Sequence, residues 1–345
     1  MNAAVSIIVP THNRGDLLMQ TLASVRAQTV LEFECVIVDD HSTDDTLARL
    51  APLLASDERF KLIQLTDQRG AQAARNAGIA GSIGPLVMLL DSDDLLAPFC
   101  LQQRLPVMRA DPKLDFAIFP CECFQKAPGD VGKLWNIPTA EADLDRFLKL
   151  DVPWQTTSPI WRRDAITALL PWPLDVPSGQ DWEFHIRALL AGQKYVRAGQ
   201  PDHYWRMAES ERESIGKQSF KPEMLRSRVG VNAKVLSAVR AAGQLTLERR
   251  DMFAGMFFQS AERIAQRASR KEGKAIWQRA LELELITPSQ CRQGKTYLTL
   301  HRWPSVRGIA RKRLEKQWPA AFFVKRSPTY LNAPVQSAPA AEVAA

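Results

Sequence analysis

The chain has no stretch of about 18 or more uncharged apolar residues, so the sequence predicts no transmembrane helix. Its opening, "MNAAVSIIVP", puts no basic segment ahead of the apolar run. That run reads as a strand rather than a signal peptide, which predicts a cytoplasmic protein. Cysteine is scarce. Cys35, Cys100, Cys121, Cys123 and Cys291 are odd in number and scattered, which argues against a disulfide framework. Cys121 and Cys123 form a C-x-C without a second pair and without a histidine at zinc-ligand spacing. They read as small apolar side chains. There is no internal repeat.

What is present is the ordinary balance of a folded protein: 345 residues, 46% apolar and 24% charged. The net charge of +7 is unevenly placed. Residues 1–204 hold 19 Lys and Arg against 26 Asp and Glu, and the remainder holds 26 against 12. Two regions with different tasks follow from that split. An acidic half suits a metal ion. A basic half suits a membrane surface, a polyanion or an acidic partner.

Short β-branched runs alternate with helical segments through the first half. "VSIIV" (5–9), "FECVIVDD" (33–40), "FKLIQL" (60–65), "PLVMLLDSDD" (85–94) and "LDFAIFPCE" (114–122) read as buried strands. Helices fall at about 15–28, from a Ser42 or Thr43 cap onward, in the small-residue segment after Gly70, and at about 98–109. This alternation predicts a doubly wound α/β sheet, in which ligands bind beyond the carboxyl ends of the strands. Residues 130–178 are rich in Pro, Trp and Ser and read as a loop-rich substrate region. A helix resumes at 181–192, and two short strands are expected after it, in "KYVRAG" and "DHYWRM". Beyond 220, segments at about 222–242, 248–270 and 274–286 show apolar residues at three- and four-residue steps, the pattern of a helical bundle. The expected organisation is a catalytic domain over 1–215, a basic helical region over 216–332 and an Ala/Pro-rich disordered tail over 333–345.

Four constellations carry chemistry. Asp91, Asp93 and Asp94 follow a buried strand. Crowded carboxylates repel unless a cation neutralises them, and a hard divalent ion with oxygen ligands answers that need. Acids decorating a helix start are the plainer alternative. Asp39 and Asp40 end another strand, where an acid can accept from ribose hydroxyls or a base N–H, or simply cap the helix. In "RGAQAARNAG", Arg75 and Asn76 could reach a phosphate or sugar, or the segment could pack tightly on the sheet. In "SGQDWEFHIRAL", Asp181 stands beside Trp182. Shielded there, it could have a raised pKa and act as a base, or serve as a helix cap.

Taken in order, "VSIIVPTHNR", "SVRAQT", "VIVDDHSTDDT", "GAQAARNAGI", "LLDSDD", "SGQDWEFHIRALLAG" and the more diffuse "DHYWRMAES" resemble the family 2 inverting glycosyltransferases over about residues 4–210. The resemblance implies the GT-A fold: a Rossmann-like, doubly wound, mainly parallel sheet, here followed by a C-terminal α-helical region. It implies that Pro10, Thr11 and His12 lie where the nucleotide base packs. Asp40, with Asp39 as the alternative, would contact the base or ribose, and Arg75 would lie near the base or phosphates. Asp91, Ser92 and Asp93 match the family's D-x-D motif. Asp93 would be the Mg²⁺ or Mn²⁺ ligand with Asp94 beside it, and Asp91 would point toward the donor sugar or ribose. Asp181 matches the general base, while Gln180 stands where the family has Glu. His203 and Arg206 fall near the segment that closes over the diphosphate. The implied donor is a UDP-, dTDP- or GDP-sugar, and the implied acceptor a glycan or lipid-linked hydroxyl in surface polysaccharide assembly.

In residues 301–326, Val306, Ala310 and Leu314 recur among many cations, flanked by Trp303, Trp318, Phe322 and Phe323. This pattern suits a peripheral membrane helix or a solvated helix packed on the bundle. No nucleic-acid-binding module accompanies the charge. A sugar nucleotidylyltransferase would share the fold and the metal, but it should open with a glycine-rich phosphate loop, and "VPTHNRGD" is not one. A non-catalytic nucleotide- or carbohydrate-binding protein could dispense with Asp181.

Overall fold

The computed structural model describes residues 3–135, 137–174, 176, 179–207, 221–300, 304–323 and 333–334. Its first half follows the alternation expected from sequence. β1 (Val5–Thr11), α1 (Gly15–Arg26), β2 (Phe33–Asp39), α2 (Thr46–Ser56), β3 (Phe60–Gln64), α3 (Ala71–Ala80) and β4 (Leu86–Leu89) appear in order. β1 and β2 are buried along their whole length, because their β-branched side chains are covered on both sheet faces. The run 85–94 is a strand only as far as Leu89. After it come β5 (Leu95–Leu96) and α4 (Cys100–Ala110).

The segment 114–122, expected as one strand, is two: β6 (Phe116–Ile118) and β7 (Cys121–Phe124). They belong to different sheets, and Pro120 lies between them. Proline cannot donate to a ladder, so the chain changes sheets there. The loop-rich stretch also holds regular structure: β8 (Lys133–Leu134), α5 (Asp143–Leu148), β9 (Pro159–Arg162) and α6 (Arg163–Thr167). After α7 (Gln180–Leu190) come the two short strands expected, β10 (Tyr195–Arg197) and β11 (His203–Arg206).

The main sheet has seven strands in the order β10-β6-β9-β4-β1-β2-β3. Only β9 runs against its neighbours, β4 and β6. That reversal puts the start of β9 on the same rim as the carboxyl ends of β4 and β6. A second sheet, β12-β8-β7-β11-β5, stands beside this rim. Its β12 is Ala333–Pro334, paired with β8, so the start of the tail expected to be disordered is a strand. Residues 335–345 lie outside the described residues.

Among the described residues five α-helices follow: α8 (Pro222–Ala241), α9 (Leu247–Arg267), α10 (Arg270–Glu282), α11 (Pro288–Thr299) and α12 (Pro304–Gln317). The sequence reading missed α11, whose Thr287–Gln290 capping box is a local start signal. The expected boundary at 215/216 lies outside the described residues. One apolar core runs from Val36 and Val38 under the sheet, through Trp161 and Phe184, to Phe253, Phe257 and Trp277 of the helices.

A buried ionic network fixes the rim. Arg104 of α4 donates Nε to Asp202 Oδ2 (2.8 Å), Nη2 to Asp202 Oδ1 (2.7 Å) and Nη1 to the Thr157 carbonyl (2.8 Å). His203 contacts Asp202 through Nδ1 (2.9 Å) and Ser158 Oγ through Nε2 (3.1 Å). Burial works against an ionised Asp202, but the Arg104 charge prevails and holds it at about 2. Burial pushes His203 down to about 4 and His185 to about 3 from the usual 6.5. Below pH 6.5 the unfolded chain therefore binds protons at these two histidines that the folded chain refuses. Their contribution to stability is complete above that pH and is lost as pH falls toward the two folded values. Between pH 7 and 5 the two histidines should together lower the unfolding free energy by about 2–4 kcal/mol, read in urea titrations as the difference between the parent chain and its His185→Gln, His203→Gln variant. Identical pH profiles for the two would reject buried neutral histidines. Arg104→Met, which strands Asp202, should destabilise by about 3–5 kcal/mol at pH 7.

Candidate functional site

The acids and cations expected from sequence sit along one rim. The β1–α1 and β2–α2 loops are tied together there. Asn13, in the left-handed region at φ 50°, accepts at Oδ1 from Thr43 N (2.7 Å) and Asp44 N (3.3 Å), and Ser42 Oγ accepts from Asn13 N (2.9 Å). Ser42 and Thr43 thus hold the β1 loop rather than capping α2, whose first flanking residue is Asp45. Pro10 and Thr11 are buried on β1, and Thr11 Oγ1 has no partner. Half-buried His12 contacts the Asp40 carbonyl through Nδ1 (2.8 Å).

Asp39 and Asp40 differ sharply. Both oxygens of Asp40 accept backbone N–H groups, Oδ1 from Arg69 (2.7 Å) and Oδ2 from Gly70 (2.8 Å). Asp40 thereby anchors the loop that launches α3. Asp39 accepts Ser42 N at Oδ2 (3.1 Å), while its buried Oδ1 has no partner. The open oxygen of the pair belongs to Asp39.

The next strand end carries Asp91, Ser92, Asp93 and Asp94. Asp91 is the most accessible acid, its side chain 34% exposed, and it accepts Arg75 Nη2 at 2.7 Å. Ser92 is buried. Asp93 lies at the rim and pairs with Arg14 Nη1 at 3.0 Å. Asp94, expected beside Asp93 as a cation ligand, is turned inward. It is 1% exposed, and its Oδ1 accepts Arg206 N (2.9 Å). Burial, with Asp93 and Asp91 nearby, raises its pKa well above the usual carboxylate range. Arg206 also donates Nε to the Asp93 carbonyl (2.8 Å), which draws β11 over the acids. Among the described residues no group of three or more His, Cys, Asp or Glu side chains is arranged to hold a metal ion.

Asp181 opens α7, half-buried, just after Gly179. Gly179 has φ 81°, a backbone state that glycine reaches without strain and that turns the loop into the helix. Burial raises the Asp181 pKa. The Trp182 N–H and the Arg75 charge draw it down, and the Asp91 charge raises it again. Asp181 therefore lies within reach of the charges of Arg75 and Asp91, which pair with each other at 2.7 Å. Arg75 is 4% exposed and lies over Trp172 (4.9 Å to the ring centre); among the described residues its Nε and Nη1 have no hydrogen-bond partner. Sequence reasoning did not single out Arg14, one arginine just past the first strand, or His185, one turn beyond Asp181 under Trp154 and Trp161. Nothing local distinguishes either.

Residues 6–167 match the family described as "Glycosyl transferase family 2". The succinoglycan biosynthesis protein ExoO of Rhizobium meliloti is 38% identical over 107 residues, 31% of this chain and 30% of that protein. The UDP-Glc:alpha-D-GlcNAc-diphosphoundecaprenol beta-1,3-glucosyltransferase WfgD of Escherichia coli is 35% identical over 104 residues, 30% of this chain and 40% of that protein. The chain spans less than half the length of these curated relatives. S. aureus TarS 1-349 in complex with UDP-GlcNAc superposes with a TM-score of 0.57 at 18% identity, over 90% of this chain and 92% of that chain. This likeness shows a GT-A type of fold.

The contrast between the two acids of β2 generates a stability prediction. Asp40→Ala strands two backbone N–H groups and should lower the unfolding free energy by about 1–3 kcal/mol. Asp39→Ala removes one backbone contact and should destabilise less in the same denaturant titrations. Equal losses would contradict the assignment of Asp40 as the loop anchor.

Proposed function

We propose that the chain is an inverting glycosyltransferase that moves a sugar from a nucleoside-diphosphate donor to an acceptor hydroxyl in surface glycan assembly. The observation that carries this reading is the shared cleft of Asp181, Arg75 and Asp91, beside the rim acid Asp93. The base and ribose would lie against Pro10, Thr11 and His12, with Asp39 Oδ1 as the open acceptor for a base N–H or ribose hydroxyl. The unpartnered guanidinium nitrogens of Arg75 suit phosphate oxygens. Asp91 and Ser92 would border the donor sugar or ribose.

Mg²⁺ or Mn²⁺ fits through Asp93, with Asp91 beside it: both are rim carboxylates, and a hard cation can complete its oxygen shell from diphosphate and water. Asp94 does not fit as a direct ligand, since it is buried and held by Arg206. When bound, the cation would act as a Lewis acid on the departing diphosphate. Arg14, which now neutralises Asp93, would then be released toward the phosphates.

Asp181 is the base of this reading. Its raised pKa makes it a stronger proton acceptor than a solvated aspartate, yet Arg75 keeps its ionised form accessible. It would take the proton from the acceptor hydroxyl as that oxygen attacks the anomeric carbon, and one in-line step inverts the configuration. Activity should therefore fall as pH drops through the Asp181 pKa. Asp181→Asn should reduce kcat by at least about 1,000-fold while calorimetry shows donor affinity nearly unchanged. Equal loss of binding and turnover would reject its role as base. Nucleoside-diphosphate release from a panel of UDP-, dTDP- and GDP-sugars with Mn²⁺ separates a transferase from a nucleotidylyltransferase, which would release pyrophosphate, and from a binding protein, which would release nothing.

The acceptor is proposed to be lipid-linked, met at the inner face of the membrane through α12. No helix among the described residues is long and apolar enough to cross a membrane. α12 docks on the bundle through Leu314, and Trp318 just beyond it packs on Trp277. Arg311 bonds Glu262 (3.0 Å) and Glu315 (2.9 Å). Ile309, 73% exposed, and Val306 face outward, as do Lys312, Arg313 and Lys316. An exposed apolar pair among cations suits an anionic lipid surface. In flotation with phosphatidylglycerol vesicles, the triple change Lys312→Glu, Arg313→Glu, Lys316→Glu should abolish binding of the full chain. Unchanged flotation would end the membrane reading.

A further inference from the structure

Two acid–arginine pairs stand on the rim, and they are built differently. Arg75, from the middle of α3, meets Asp91 at 2.7 Å, with its own side chain buried over Trp172. Arg14 meets Asp93 at 3.0 Å, but 32% of its side chain and 18% of that of Asp93 are open to solvent. The first pair is enclosed, and the second is not.

Local structure explains the difference. Arg14 is the residue before α1, at φ −140° and ψ 36°, at the end of the loop that leaves β1. The backbone around it is fastened. Asn13 N donates to Ser42 Oγ (2.9 Å), Asn13 Oδ1 accepts from Thr43 N (2.7 Å), and the Arg14 carbonyl accepts from Leu18 N (2.9 Å). Its main chain is therefore held, while the guanidinium lies at the end of a long, partly solvated stem. Such a side chain changes rotamer readily, and an ion pair open to water does little to restrain it.

Electrostatics give that freedom a direction. Each of the two rim carboxylates, Asp91 and Asp93, already has a guanidinium. A divalent cation taken up by Asp93 would meet the Arg14 charge paired there, and two cations on one carboxylate repel. Nor does the protein supply a full coordination set, since no three acid, His or Cys side chains among the described residues are arranged for one. Phosphate oxygens change both conditions. They add ligands of the kind a hard cation takes, and they offer the planar guanidinium of Arg14 a second anion to fork.

We propose that Arg14 is a displaceable counter-ion: it holds Asp93 in the free chain, opposes uptake of a divalent cation alone, and moves to a phosphate oxygen when the cation arrives with a nucleoside diphosphate. The inference rests on the glycosyltransferase reading and adds the regulation of its site. Cation and nucleotide then bind cooperatively, each raising the affinity for the other by the same factor. Arg75 keeps its place beside Asp91 throughout.

The test reads binding and not turnover. Mn²⁺ is titrated into the full chain and followed by electron paramagnetic resonance, and UDP, dTDP and GDP are titrated by calorimetry at saturating Mn²⁺. Arg14→Gln should tighten Mn²⁺ alone by about tenfold and weaken the nucleoside diphosphate that binds by about tenfold. The two changes run in opposite directions, whereas a folding defect weakens both. Adding Asp93→Asn to Arg14→Gln should remove the gain in Mn²⁺ affinity, which assigns that gain to Asp93. Unchanged Mn²⁺ affinity in Arg14→Gln, a gain that survives Asp93→Asn, or undiminished nucleotide affinity overturns the counter-ion while the transferase reading stands. Failure of all three nucleotides to bind the parent chain overturns both.

Discussion

The cleft is organised around one buried guanidinium. Arg75 is almost fully enclosed, lies over Trp172 and gives one nitrogen to Asp91. Its charge lowers the pKa of Asp181 and helps keep His185 neutral. Without that charge, Asp91 and Asp181 would lose the cation that offsets their mutual repulsion. The small-residue helix α3 is what allows the arrangement. A Cβ at Gly78 would lie 2.3 Å from Ile8 Cγ2, so only glycine lets α3 press onto β1 and carry Arg75 into the cleft. Trp172 in turn stacks on Phe184 of α7, so the aromatic under Arg75 also positions the helix that bears Asp181.

That dependence explains which parts were legible in the sequence. β1 and β2 appear where their β-branched runs predict them, because a strand buried on both faces needs only a local apolar run. The acids at strand ends were legible for the same reason: end the strand, and the rim residue is named. The split of 114–122 between two sheets was not, since it depends on which distant strands pair with each half. Nor was β9, whose antiparallel place between β4 and β6 is a long-range event inside a segment that reads as loop. At the site, sequence brought Asp39 and Asp40 forward together. Only their hydrogen bonds separate the loop anchor from the acid with an open oxygen.

The split in charge between the halves has a structural consequence besides any partner. Cations of the helical region meet acids of the first half or of the bundle. Arg249 reaches Asp145 of α5 (2.6 Å), and Arg311 reaches Glu262 (3.0 Å). Trp182, next to Asp181, donates its indole N–H to the Phe147 carbonyl of α5 (2.7 Å), and α5 is the element Arg249 grips. The basic helices are thereby coupled through α5 to the helix bearing Asp181, and one apolar cluster continues across the junction. Such a junction transmits strain, because a close-packed interior has little slack.

Gln180 completes the charge argument. It is 8% exposed, and its Oε1 is buried without a partner, immediately before Asp181. A carboxylate at this position would set a negative charge directly beside Asp181 and raise its pKa further. The amide avoids that repulsion. Burial and the Asp91 charge raise the pKa of Asp181, while the Trp182 N–H and the Arg75 charge oppose them, so the neutral amide of Gln180 leaves that balance undisturbed.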